Sequence, residues 1–483
     1  MRQHDRKAVR IGAALLLAGA PAQAASPVDE TPWTILIYGA ADNDADGHML
    51  EFLNGIRRAV ADDPALNLVL FIDRHAGHSD DASTLGENFT GARLYRLGAK
   101  TAERLAGGEH FPELTLDSEH EPDSADPENL RKFIAFGKAR FPARRHALLI
   151  YSHADGITMC PDEQSRRHMG IPELTEVVTE RESVDFAGLE LCNMGGVEIA
   201  YQWRPGNGGF STDVLLAIPN AGPPLDWERI FARIHAPTHP AAKGRSDCLD
   251  PATMTAADFG RLAVEEGGRG RLEMAAAHPE VRERAAREAV ACYDLLAVEE
   301  VKAAVDAFAV ELARAGAKER FEELRGPGAH GVVMNYVRDR FTSDHAFVDL
   351  FDLLRRAAEC EELGDEARAA ARAAMAATDA LVIDSFGMSG YVGFEPGLHG
   401  VFIHFPDGDA PGGGVPGLRS RVWRNCGWYV PFDDRQPNVN RGGWAWCRDG
   451  AVAGNGVVEN WFELLDSWFD EADAEGGLNR YRY

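Results

Sequence analysis

Two side chains that together support nucleophilic chemistry stand at the ends of two apolar runs. Ala147-Leu148-Leu149-Ile150-Tyr151-Ser152 delivers His153 into Ala154-Asp155-Gly156, and Val184–Leu191 delivers Cys192 into Asn193-Met194-Gly195-Gly196. The thiolate is the nucleophilic form of cysteine, so a catalytic cysteine needs a neighbouring base or a positive helix end. The chain offers both: His153, and a helical pattern from about Gly195 through Val197-Glu198-Ile199-Ala200-Tyr201. Each residue also has a plainer reading, the histidine as a satisfied strand-end residue and the cysteine as a small core residue.

The elements that must position this pair follow from pattern. Short apolar runs bounded by turn residues, with a helical pattern at Pro172–Glu180 between them, read as neighbouring buried strands of a parallel sheet. In such sheets ligands bind beyond the carboxyl ends of the strands. Trp33–Tyr38 and Leu66–Ile72 read as the first two strands, with a helix at Met49–Val60 between them. Ala92–Leu97 reads as an edge strand. Asp126 as a cap with Pro127 at the first helical position starts a helix to about Arg140, and Val214–Ile218 is a fifth parallel strand. Past residue 250 the stretches Thr253–Leu324 and Ala346–Ala380, rich in Ala, Glu, Arg and Leu, read as mainly helical. Extended runs follow at Ala380–Ile383 and Gly400–Phe405, then a Gly/Pro loop at Asp407–Gly417 and a final helix at Asn460–Glu471.

The segments His146–His153 and Glu190–Tyr201 resemble the clostripain family of cysteine peptidases. Trp33–Asn43, Asp126–Leu130 and Phe141–Arg145 fit the same family, so the likeness runs from Trp33 to Trp227, with a looser echo at Gly397–Pro406. The resemblance implies an α/β fold with a caspase-like, mostly parallel sheet flanked by helices, and a mainly helical and mixed C-terminal region. The domains expected are a signal peptide at 1–24, a peptidase domain at 25–240 and that C-terminal region at 241–483. It also implies a His153/Cys192 dyad that attacks peptide bonds, with the backbone N–H groups of Ala154 and Cys192 stabilising the oxyanion. Relatives carry Asp where this chain has Glu190, facing a basic substrate side chain, so Glu190 is expected to favour Arg or Lys. Ala154 stands where the family has Gly, and Asn193 where it has Leu. Self-cleavage after a basic residue between the His and the Cys is frequent in the family, which marks Arg166 and Arg167.

Composition narrows the rest. Arg2, Arg6, Lys7 and Arg10, a short apolar stretch at Ile11–Ala20 and Ala22-Gln23-Ala24 form a cleavable secretory signal, implying a secreted or periplasmic protein. No segment is long and apolar enough to span a bilayer. The formal charge is −26; removing the signal takes away four basic residues and Asp5, leaving −29. That balance argues against nucleic acid and anionic membranes and suits basic peptide or protein substrates. Seven cysteines in an exported chain suggest a free thiol, here Cys192, with Cys426–Cys447 as the favoured bridge. A Cys160–Cys192 disulfide, which would silence the dyad, is the competing arrangement.

Neither a P-loop, a zinc-peptidase helix nor a Gly-x-Ser-x-Gly elbow is present. The peptidase chemistry requires no cofactor. Asp42-Asn43-Asp44-Ala45-Asp46-Gly47 opens like a calcium loop, making Asp42, Asp44 and Asp46 a candidate calcium site, although Leu53 stands where the loop's final Glu belongs. Calcium use by some clostripain relatives supports the idea. Asp73–Asp81, with His75 and His78, is crowded enough to hold a metal and would make the protein a metal-dependent hydrolase. A second rival is a catalytically silent relative that binds peptides or partners.

Overall fold

The apolar run from Trp33 lies at the centre of a strand, β1 (Thr31–Ala41), buried on both faces. Its alternate residues serve two cores: Trp33, Ile35 and Ile37 pack on one side of the sheet, Leu36 and Tyr38 on the other. This two-sided burial explains why the strand reads as an unbroken apolar run rather than as alternation. In this computed structural model the described residues are 30–60, 62–117, 119–326, 332–336, 346–405, 443–452 and 455–469. The signal segment, Cys426 and the Gly/Pro loop at 407–417 lie outside them.

β1 pairs in parallel with β2 (Leu66–Arg74) on one side. On the other it pairs in parallel with β5 (Ala143–Tyr151), which continues to β8 (Val184–Glu190) and β9 (Thr212–Ala217). β3 (Gly91–Leu97) and β4 (Ala102–Leu105) extend the sheet antiparallel beyond β2. The stretch expected as an edge strand is therefore covered by a shorter neighbour, which carries the unpaired edge instead. β6 (Thr158–Asp162) and β7 (Arg167–Gly170) form a separate hairpin between β5 and β8.

The helices that matter for the site are α1 (Asp46–Val60), α2 (Pro127–Arg140), α3 (Ile171–Val177), α4 (Val197–Gln202), α5 (Trp227–Phe231) and α6 (Ala256–Ala277). α2 begins as its sequence dictates: the Asp126 carboxylate accepts the Glu128 N–H at 2.9 Å, and Pro127 occupies a position that needs no donor.

The region past residue 240 is not the separate appendage its composition suggests. β10 (Ala289–Asp294) joins β9 antiparallel, β12 (Val382–Gly387) joins β10, and the described residues from Thr31 onward form one compact unit. β10 lies inside a stretch read as helical; Ala289-Val290-Ala291-Cys292-Tyr293 is short, follows helix-forming residues, and carries no turn signal to separate it. β11 (Phe347–Asp349) and β13 (Phe402–His404) make a small ribbon against α4. The last described helix is Trp461–Phe469.

Candidate active site

Tyr151, the last residue of β5, lies directly opposite Glu190, the last residue of β8. Each chain then runs two residues further, to His153 and to Cys192. Residues two apart on a strand face the same way, and Tyr151, His153, Glu190 and Cys192 all line one cleft of about 790 Å³. α1 contributes His48, Glu51 and Arg58 to its wall, and α5 contributes Trp227 and Glu228.

The loop after β1 holds the histidine. Asn43 is buried and donates to the carbonyls of Ala40 (3.0 Å) and Pro161 (2.8 Å), while Ser152 donates to Ala40 at 2.7 Å. So fixed, the loop presents Asp44, whose carboxylate lies 2.7 Å from His153 Nε2. That contact occupies one ring nitrogen and leaves Nδ1 for proton transfer. Asp44, which motif reading assigned to calcium, is thus a hydrogen-bond partner of the histidine.

The three acids of the expected calcium loop diverge. Asp44 meets His153, Asp46 forms a buried two-pronged ion pair with Arg74 (2.8 and 3.0 Å), and Asp42 accepts the Gln164 N–H at 3.0 Å. They do not share a site. Asp42 instead joins two other buried acids, Asp73 and Asp162. Asp162 is satisfied by Ser124 and Ser165, but neither oxygen of Asp73, nor Oδ1 of Asp42, has a hydrogen-bond partner. Burial, and then the Glu121, Asp162 and Asp42 carboxylates, push Asp73 far above its ordinary range. Burial and Asp162 raise Asp42 to about 6, against the Gln164 N–H. Unsatisfied buried oxygens on Asp42 and Asp73 are of the type calcium takes, although these acids are not among the side-chain groups whose ligand atoms converge within 4.8 Å.

Two turn residues answer questions left by the sequence. Asn193 has φ +60°, a left-handed conformation that Asn tolerates better than Leu, and its N–H donates to Asn220 at 3.1 Å. Ala154 has no positive φ, so the side chain costs no strain there. Its bridge to Met159 is closed by the N–H groups of Asp155 and Cys160, and the Ala154 N–H takes no part in it. α4 starts only at Val197 and has six residues, a weaker positive end than the pattern from Gly195 suggested. Cys160 is buried and in no disulfide, which removes the Cys160–Cys192 arrangement.

Glu190 is buried. Its Oε2 accepts the Leu225 N–H at 2.8 Å. Burial raises its pKa, opposed by the Leu225 N–H, by the Trp227 indole and by the Arg271 guanidinium. Arg167 is held by Asp123 at 2.8 Å, whereas Arg166, with φ +59°, stands exposed in the turn between β6 and β7. His75 and His78 lie 3.7 and 3.2 Å from Glu163, at the surface and apart from the cleft lining.

The clostripain family model matches residues 37–468. Clostripain of Hathewaya histolytica is 33% identical over 481 residues, covering 93% of this chain and 89% of that one. This chain belongs to the clostripain family of cysteine peptidases. Two solved structures share its fold. One is a secreted C11 cysteine protease from Bacteroides thetaiotaomicron in complex with an irreversible peptide inhibitor (TM-score 0.51, 16% identity, 81% of this chain and 96% of that one). The other is an inactive zymogen C11 protease from Parabacteroides distasonis (TM-score 0.50, 17% identity, 78% and 92%). The clostripain homologue is thus a hydrolase of peptide bonds acting on peptide or protein substrates, and neither the metal-hydrolase nor the silent-relative reading is needed. Among the described residues no helix is long and apolar enough to cross a membrane.

Proposed function

We propose that this peptidase is exported and cleaves after Arg or Lys through Cys192 and His153. The Cys192 thiolate attacks the peptide carbonyl carbon; the C–N bond breaks as His153 passes a proton to the leaving amine. Water then gives a proton to His153 and its oxygen to the acyl carbon, releasing the thiolate. Asp44 holds the imidazole by Nε2, leaving Nδ1 for the proton transfers. The N–H groups of Ala154 and Cys192 bind the developing oxyanion, an effect worth about 3–4 kcal/mol per donor. The opposition of Tyr151 and Glu190 carries this reading, since it brings both reactive groups into one cleft.

Basic specificity is supported by the Glu190 carboxylate in the cleft wall and by an acidic lining, with Glu51, Asp226, Glu228 and Glu288 against Arg58 and His48. Hydrolysis of matched fluorogenic peptides with Arg, Lys, Leu or Gln before the scissile bond tests it. Arg and Lys substrates should be cut at least tenfold faster, and a thiol alkylator should stop all cleavage. Equal rates on neutral peptides would remove Glu190 from its role.

Two further parts belong to the same proposal. Calcium, if bound, would be held by Asp42 and Asp73 beside Asp162, where it would supply positive charge to acids that otherwise repel one another. The exposed Arg166 is the self-cleavage point, once the β6–β7 turn opens enough to enter the cleft as an extended strand. Sequencing fragment termini after incubation should find a new end at Arg167 in the wild type and none in Cys192→Ala. An intact, fully active chain would refute self-processing.

A further inference from the structure

We propose that Asp63, His235 and His239 form a site for a divalent transition metal ion of the zinc type, tying the turn after α1 to the segment after α5. Nothing in the peptidase chemistry uses these residues. Asp63 lies in the turn between α1 and β2; His235 and His239 follow α5. The side chains of His235 and Asp63 are 1% and 0% exposed. His235 Nδ1 lies 3.4 Å from Asp63 Oδ2, at the outer edge of hydrogen-bond range. So long a contact satisfies a buried ring nitrogen poorly.

The distance is long for a hydrogen bond and right for something else. Two ligands on one tetrahedral zinc, each about 2.0–2.1 Å from the metal, stand roughly 3.3 Å apart. The His239 ring lies beside that of His235, centroids 4.8 Å apart and planes 13° from parallel. One ligand atom from each of the three residues falls within 4.8 Å of the others. The backbone already steadies the carboxylate: Asp63 accepts the N–H groups of Ala65 and Ala236, each at 2.9 Å. Such outer hydrogen bonds orient metal ligands. His239 Nδ1 accepts the Ala241 N–H at 3.2 Å; ligation through Nε2 would place a proton on Nδ1 and release that contact, a small loss against a metal–nitrogen bond.

Two imidazoles and one carboxylate suit zinc, whereas calcium prefers oxygen throughout. His239 is only half-buried, so water can complete the coordination sphere. The elements joined are those that wall the cleft, and Arg58 of α1 and Glu228 of α5 already pair across it. The ion would therefore brace the substrate channel from behind without touching the reacting atoms.

The test uses the full chain as Cys192→Ala, which removes the catalytic thiol as a competing ligand. After chelator stripping, zinc titration by calorimetry should give one tight site, and cobalt should give the intense visible bands of a tetrahedral centre. His239→Ala, at a half-buried position, should weaken zinc binding at least tenfold, abolish those bands and cancel the zinc-induced rise in Tm. His78→Ala should leave all three readouts unchanged. Failure of the parent chain to bind zinc, unaltered affinity in His239→Ala, or loss of the site in His78→Ala would each overturn the proposal.

Discussion

His153 and Cys192 are placed by backbone pairing, so replacing either side chain removes chemistry without removing the scaffold. Cys192→Ala and His153→Ala should each reduce peptide cleavage below a few per cent of wild type with little change in Tm; residual turnover above that in Cys192→Ala would exclude the dyad. Asp44→Asn tests the orienting contact. It should lower kcat by roughly tenfold or more while KM holds, the pattern expected when a general acid is misdirected. Glu190 calls for a pH profile. Burial raises its pKa, so it loses its negative charge at a higher pH than an ordinary carboxylate as the solution is acidified. Selectivity for Arg over Gln should therefore fall on the acid side in a range above the usual carboxylate value. Glu190→Gln should show low, pH-independent selectivity. Persistence of the same titration in that variant would assign it to another group.

At the scale of elements, the turn after the nucleophile is pinned from behind. The Gly195 carbonyl oxygen accepts from the Phe402 N–H (2.9 Å) and the Tyr293 hydroxyl (3.3 Å), and Gly196 bridges to Phe402. A Cβ on Gly195 would lie 2.6 Å from Pro219 and 3.0 Å from the Tyr293 oxygen. Gly195→Ala should accordingly cost about 1–3 kcal/mol of stability and most of the activity; a fully active variant with unchanged Tm would show the turn to be slack. The parallel core and both reactive residues are legible in the sequence because each strand is a bounded apolar run with a distinctive residue at its end. β10 is not, since a short run rich in Ala and adjoining helix formers carries neither period, and β12 is caught only at its start, in the extended run at Ala380–Ile383. Asp44 escapes for a different reason. Its neighbours imitate a calcium loop, and only the burial of Asn43 and the Arg74–Asp46 pair reveal that the three acids turn three ways.

For the whole molecule, the buried acids set a pH dependence whose direction is fixed. Asp42 moves from 3.8 in its ordinary state to about 6 in the fold, and Asp73 is raised further by burial. A carboxyl raised on folding contributes stability that is fully present below its unfolded pKa and lost as pH climbs through the folded value. The calcium-free protein should thus lose Tm steadily from about pH 4 to beyond pH 6, and saturating calcium should flatten that decline. Asp73→Asn should weaken both the decline and the calcium response; an unchanged calcium response would place the cation elsewhere.

The pinning of Gly195 and Gly196 also bears on when the enzyme comes into being. A chain leaves the ribosome from its N-terminus, so Cys192 emerges well before Tyr293 and Phe402. Until those two residues have been made, the turn that carries the nucleophile rests only on the neighbouring strand end at Ile218–Asn220. Its full support therefore arrives only with the final third of the polypeptide.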